Sequence, residues 1–147
     1  INLDEKITLQ KKDIQNYGTG SLRYQKPGES YSLKTLAKLT LQQSDNTAAY
    51  LLANRIGRNQ IQQIMSDLGL TQTNMEDNKT SLKDIALLYE KLYTNQLTSP
   101  ALTKELLNFM ENTDIDNIII CIIKELNLNI DVSSDYNLGL FGLISDT

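Results

Sequence analysis

Residues 47–56 read Thr-Ala-Ala-Tyr-Leu-Leu-Ala-Asn-Arg-Ile. Ala48, Ala49, Leu51, Leu52 and Ala53 cover most of the circumference of a helix with 3.6 residues per turn, which predicts burial on nearly all sides. A helix of that kind is stable only inside a shell of other elements, so the rest of the chain has to supply one. With 147 residues, the chain is the size of one domain, and about two-thirds of its unfolded surface is available for burial.

The flanking sequence supplies more helices. Ser32 is a plausible N-cap for a helix to about Gln43, with Leu33, Leu36, Ala37 and Leu41 on its buried face. Gly57 stops the apolar helix. Residues 59–68 form a short helix with Ile61, Ile64, Met65 and Leu68 on one face, closed by Gly69. Ser81 and Asp84 resemble a capping box, and the helix behind them buries Leu82, Ile85, Leu88, Tyr89 and Leu92. Ser99-Pro100 is a cap followed by Pro at the first helical position, with Leu102, Leu106, Phe109 and Met110 facing inward. Residues 32–111 therefore read as a helical core. Residues 5–9 suit a short extended segment, 13–30 a long surface loop and 70–80 an irregular polar connection. After Thr113 the pattern changes. Asn117–Ile123 and the alternating 126–132 suit strands, and 138–144 a third. The reading is α+β.

Composition removes several functions. There is no His, so no Ser-His-Asp or Cys-His hydrolase site lies within these residues, and zinc or haem ligation is not expected. One Cys, Cys121 in the Ile run, permits no internal disulfide and reads as apolar filler. With 14 basic and 18 acidic residues and no basic cluster, nucleic acid is not an expected partner. The apolar run Ile118–Ile123 is too short to cross a membrane. Ile1-Asn2-Leu3-Asp4 is no signal peptide and reads like the interior of a longer protein.

The candidate for chemistry is Ser44-Asp45-Asn46, a polar turn between two apolar helices. Such a tripeptide is also ordinary capping sequence, because these side chains compete for backbone hydrogen bonds. Its surroundings distinguish it. The stretch from Tyr31-Ser-Leu through Gln43-Ser44-Asp45-Asn46-Thr47-Ala48 to Leu52 resembles the class A serine β-lactamases, in which Ser-Asp-Asn is a signature. Leu3-Asp4-Glu5-Lys6-Ile7, Gly18-Thr-Gly-Ser-Leu22, Leu68-Gly-Leu-Thr71 and Ser81-Leu-Lys-Asp-Ile-Ala86 extend the resemblance, in order, over roughly residues 1–113.

The resemblance implies an α+β fold with an all-helical lobe and part of an antiparallel sheet. A single incomplete domain is expected over 1–147, its helical lobe at 32–111 and its partial sheet at 117–144. It implies acyl transfer from a β-lactam, or from a cell-wall peptide in the related penicillin-binding enzymes, through a serine acyl-enzyme. Ser44 matches the serine that relays a proton towards the leaving nitrogen, Asn46 the side-chain amide that contacts substrate, and Asp45 the residue that holds the turn. No cofactor is implied. A monomer in the cell envelope, the periplasm or outside the cell is expected.

Three departures qualify it. Ser-x-x-Lys is absent, so the nucleophile is expected upstream of Leu3, and the isolated chain is expected to be inactive. Lys-Thr-Gly is absent; Val132-Ser-Ser-Asp135 stands in that region. In the segment matching the family's Ω-loop, Thr73–Thr80, Glu76 is the one Glu, with Asn78 at a different spacing from the family's Glu-x-x-x-Asn. Glu76 is the candidate water-activating base; the alternative is that Glu76 and Asp77 are solvated acids preceding a helix. Lacking that base, the acyl-enzyme would be long-lived, as in a penicillin-binding transpeptidase or carboxypeptidase. A non-catalytic remnant of the fold is the remaining reading.

Overall fold

The computed structural model describes residues 2–110. The strands expected at 117–144 and Cys121 lie outside the described residues. Two short strands, β1 (Lys6–Thr8) and β2 (Ser30–Ser32), pair antiparallel, with Lys6 opposite Ser32, Ile7 opposite Tyr31 and Thr8 opposite Ser30. Five helices follow: α1 (Leu33–Gln43), α2 (Asn46–Ile56), α3 (Arg58–Asp67), α4 (Leu82–Tyr93) and α5 (Pro100–Met110).

The helices begin where capping chemistry permits. Ser32 accepts the amide of Thr35, Asp45 that of Ala48 and Ser81 that of Asp84, each satisfying an otherwise orphaned N–H of a first turn. At the start of α1, the amides of Leu33 and Lys34 donate to the carbonyls of Glu5 and Leu3, so the N-terminal segment is tied to that helix. Gly57 and Gly69 end α2 and α3 at positive φ.

Two apolar clusters organise the packing. Leu9, Leu22, Leu33, Leu36, Ala48 and Leu51 form the first, with Ile7, Tyr31, Leu39 and Leu52 against it. Leu92 and Met110 centre the second, joined by Leu41, Tyr89 and Leu106. Helix α1 contributes to both, and an ion pair between Lys34 and Glu105 links it to α5.

Several expectations need correction. Leu22 is buried and belongs to the core, so 13–30 is not wholly a surface loop. Helix α2 is covered at Thr47, Ala48, Leu51 and Ala53, but Ile56 at its end is exposed. No residue of α3 is fully buried, and Ile64 is exposed. Leu82 is 77% exposed. It precedes the buried Asp84 by two positions, about 200° around the helix, so drawing Asp84 in turns Leu82 out. On α5 the buried stripe runs through Thr103 and Met110, which leaves Leu102 at the surface. The capping box at Ser81 is half formed. The Asp84 carboxylate instead accepts from the Gln72 amide and the Thr73 hydroxyl.

Candidate functional site

The Ser44-Asp45-Asn46 turn is built by one helix ending and the next beginning. Ser44 caps α1 in the left-handed region, at φ 51° and ψ 39°. The amides of Ser44 and Asp45 both donate to the Leu39 carbonyl. Asp45 is the N-cap of α2 and has no exposed surface. A buried carboxylate requires hydrogen-bond donors on its oxygens. Oδ1 accepts from the Ala48 amide at 2.9 Å, and Oδ2 from the Leu22 amide at 2.8 Å. That second bond draws Leu22 into the core.

The loop Tyr17–Leu22 lies directly on the turn. The Thr19 hydroxyl donates to the Ser44 carbonyl at 2.7 Å, and the Asn46 amide donates to the Thr19 carbonyl at 3.3 Å. Asn46 Nδ2 donates to the Tyr17 carbonyl at 3.3 Å, which leaves its second amide hydrogen and its Oδ1 for another partner. Gly18 and Gly20 make the approach possible. A Cβ at Gly18 would stand 1.9 Å from Asn46 Nδ2, and one at Gly20 2.2 Å from Asp45 Cγ. Outside this contact, Gln43 Oε1 takes the Ser21 amide, the Thr47 hydroxyl takes the Gln15 amide, and Arg23 donates to the carbonyls of Gly18 and Asn16.

Ser44, Asp45 and Asn46 are thus held as a unit, with Ser44 exposed. No hydrogen bond among the described residues engages the Ser44 hydroxyl, a group that can both donate and accept. Nearby, Tyr31 donates to Glu29. Burial, then the Glu29 hydrogen bond and the charges of Glu29 and Asp45, push its phenol up to about 12. Tyr17 and Tyr24 are exposed, and Arg23 stacks on the Tyr24 ring. Among the described residues, no group of three or more His, Cys, Asp or Glu is placed to hold a metal ion.

Glu76 lies in an exposed turn closed by Asn74 and Lys79, whose backbones exchange hydrogen bonds. Asn74 Oδ1 accepts the amides of Glu76 and Asp77. Gln62 on α3 fastens the turn through Thr73 and Met75, and Asp84 fastens it through Gln72 and Thr73. Among the described residues, no hydrogen bond or ion pair connects the Glu76 turn with Ser44–Asn46.

Sequence reasoning had not singled out Thr19. Its signal was the pair of glycines around it, which only a close backbone approach requires.

The sequence pattern of the Beta-lactamase enzyme family matches residues 1–126, and the chain belongs to that family. It is 32% identical over 84 residues to Beta-lactamase 3 of Bacillus cereus, a match covering 56% of this chain and 26% of that protein. The structure of PBP-A matches with 31% identity and a TM-score of 0.71, over 78% of this chain and 46% of PBP-A. A PBP-A variant solved as an acyl-enzyme complex with penicillin G matches at 30% identity and a TM-score of 0.70, with the same coverage. A beta-lactamase from Sphaerobacter thermophilus matches at 25% identity and a TM-score of 0.69, over 76% of this chain and 46% of that one. The chain therefore spans about half the length of these solved structures and a quarter of the curated relative. Over the described residues its fold is the helical lobe of the serine β-lactamase fold with a two-stranded antiparallel piece of sheet. No described helix is long and apolar enough to cross a membrane.

Proposed function

We propose that this chain forms the helical wall of a serine acyl-transfer site acting on β-lactam amides. The observation that carries the reading is the Ser44 turn: an exposed hydroxyl on a fixed left-handed backbone, in a chain of the β-lactamase family. The attacking serine comes from sequence outside these 147 residues, since no Ser-x-x-Lys occurs within them. When that serine adds to the β-lactam carbonyl carbon, the ring C–N bond breaks and the nitrogen needs a proton. Ser44 supplies it from its hydroxyl and takes a replacement from the acylation base, which needs a group able to donate and accept. Asn46 offers its remaining amide hydrogen and Oδ1 to the substrate's acylamino group. Asp45 holds both in place. The domain is the 1–147 segment as part of a larger monomeric enzyme. It acts outside the cytoplasm, where β-lactams and peptidoglycan meet their enzymes.

The alternative is a penicillin-binding transpeptidase or carboxypeptidase that acylates on cell-wall peptide and is trapped by β-lactams. The observation favouring it is the segment around Glu76, where Asn78 stands two residues on in place of the family's Glu-x-x-x-Asn spacing. A base must reach the water it activates. The likeness to PBP-A supports the same reading.

The test is intact-protein mass spectrometry of the full-length protein carrying this chain, mixed with benzylpenicillin. A covalent adduct that decays within seconds identifies a β-lactamase, and one that persists for hours identifies the peptidase-like enzyme. In the first case Glu76→Gln lengthens the adduct's life; in the second it does not. No adduct at all leaves a non-catalytic remnant of the fold and overturns both enzyme readings. Ser44→Ala is expected to slow adduct formation about a hundredfold or more, the usual worth of a positioned proton-transfer group.

A further inference from the structure

We propose that Thr19 is a positioning residue that aims the Ser44 hydroxyl, an inference that rests on the proton-relay reading of Ser44. Ser44 is a non-glycine residue at positive φ, a conformation held only where its surroundings over-determine it. On its N-terminal side the peptide is fixed by α1, because the Ser44 amide donates to the Leu39 carbonyl. On its C-terminal side the Ser44 carbonyl accepts the Thr19 hydroxyl at 2.7 Å. The same peptide's N–H, that of Asp45, reaches the Leu39 carbonyl only at 3.4 Å, so the shorter Thr19 bond does most to fix the ψ of Ser44 and with it the direction of its Cα–Cβ bond.

Residue 19 is placed for this by its neighbours. Gly18 and Gly20 stand at φ 75° and 106°, and their missing side chains let the loop rest on Asn46 and Asp45. The Thr19 carbonyl then takes the Asn46 amide while its hydroxyl reaches back to Ser44, so residue 19 straddles Asp45. The hydroxyl is not what keeps the loop seated. Without it the Leu22 amide still donates to Asp45, the Ser21 amide to Gln43, and Arg23 to two loop carbonyls. Loss of the hydroxyl therefore loosens the Ser44 peptide and leaves the fold intact.

The test uses the full-length protein and a fluorescent penicillin, with the first-order acylation step and the preceding non-covalent affinity measured separately. Thr19→Val is expected to slow acylation about tenfold to a hundredfold, as small displacements of reacting groups do, with the non-covalent affinity and the thermal midpoint unchanged. Thr19→Ser restores the rate. In a Ser44→Ala background, Thr19→Val costs nothing further, since the two act as a unit. Wild-type acylation by Thr19→Val, or a full loss persisting in the Ser44→Ala background, overturns the proposal. If Ser44→Ala itself acylates normally, the relay reading fails on its own account. The crystal structure of Thr19→Val then decides the positioning claim: Ser44 leaves the left-handed region if it holds, and an unmoved Ser44 overturns it.

Discussion

Asp45 carries more of the site's geometry than any other side chain, because its two oxygens serve two different elements. One caps α2 through Ala48, and the other anchors the loop through Leu22. Replacing it with Ala strands two buried amides, each costing about 1–3 kcal/mol. Asp45→Ala is therefore expected to destabilise by about 2–5 kcal/mol in urea unfolding, with loss of acylation. Gly20→Ala attacks the same contact from the other side. Its Cβ would overlap the Asp45 carboxylate at a φ of 106°, and a loss of about 3 kcal/mol or more is expected from the overlap and the backbone strain together. A Gly20→Ala midpoint equal to that of the parent would show that the loop does not rest on Asp45. Tyr31 gives a pH signature. Its phenol holds its proton to about pH 12, against an ordinary value of 10.0. The folded state thus binds the proton more tightly than the unfolded chain. That contribution is fully present below pH 10 and is lost as the pH rises from 10 towards 12. In ultraviolet titration, Tyr31→Phe should remove the step near pH 12; removal of a step near pH 10 would contradict the assignment.

At the scale of elements, helix beginnings and ends were legible because capping is local chemistry. Ser32, Ser81 and Ser99-Pro100 open helices where the sequence places them, and Gly57 and Gly69 close them. The faces were less legible. Whether a helix buries position 82 or 84, or 102 or 103, depends on what packs across from it, and that partner is distant in sequence. Asp84 turns inward because the 72–80 loop brings two donors to it. The predicted consequence is that Asp84→Ala releases that loop: hydrogen exchange at the Gln72 amide accelerates, while amides in α1 and α2 keep their protection. Unchanged exchange at Gln72 would contradict the clasp. Thr103 went unnoticed because it is polar. It is buried on α5, and its hydroxyl has no hydrogen-bond partner among the described residues. Thr103→Val removes that unpaired group at nearly constant volume. It is expected to leave stability unchanged or to raise it by about 1 kcal/mol, read as the urea midpoint.

For the whole molecule, α1 is the shared wall. Its N-terminal half packs with β1, β2 and α2 around Leu36, and its C-terminal half meets α4 and α5 through Leu41. The Ser44 turn is the end of that wall, fastened by the hydrogen bonds of the loop strapped across it. The Ser-Asp-Asn turn and its helices were readable from the chain, since adjacent residues supply most of their bonds. The strap was not, because Thr19 and Ser44 are brought together only by the fold. On the proposed reading, this turn faces the substrate of an acyl-transfer site completed by the rest of the protein. The most direct test is a crystal structure of the full-length protein acylated by penicillin. Ser44 Oγ and the Asn46 side-chain amide are expected within hydrogen-bonding distance of the bound adduct, with Thr19 still on the Ser44 carbonyl. An adduct seated away from the Ser44–Asn46 turn would contradict it.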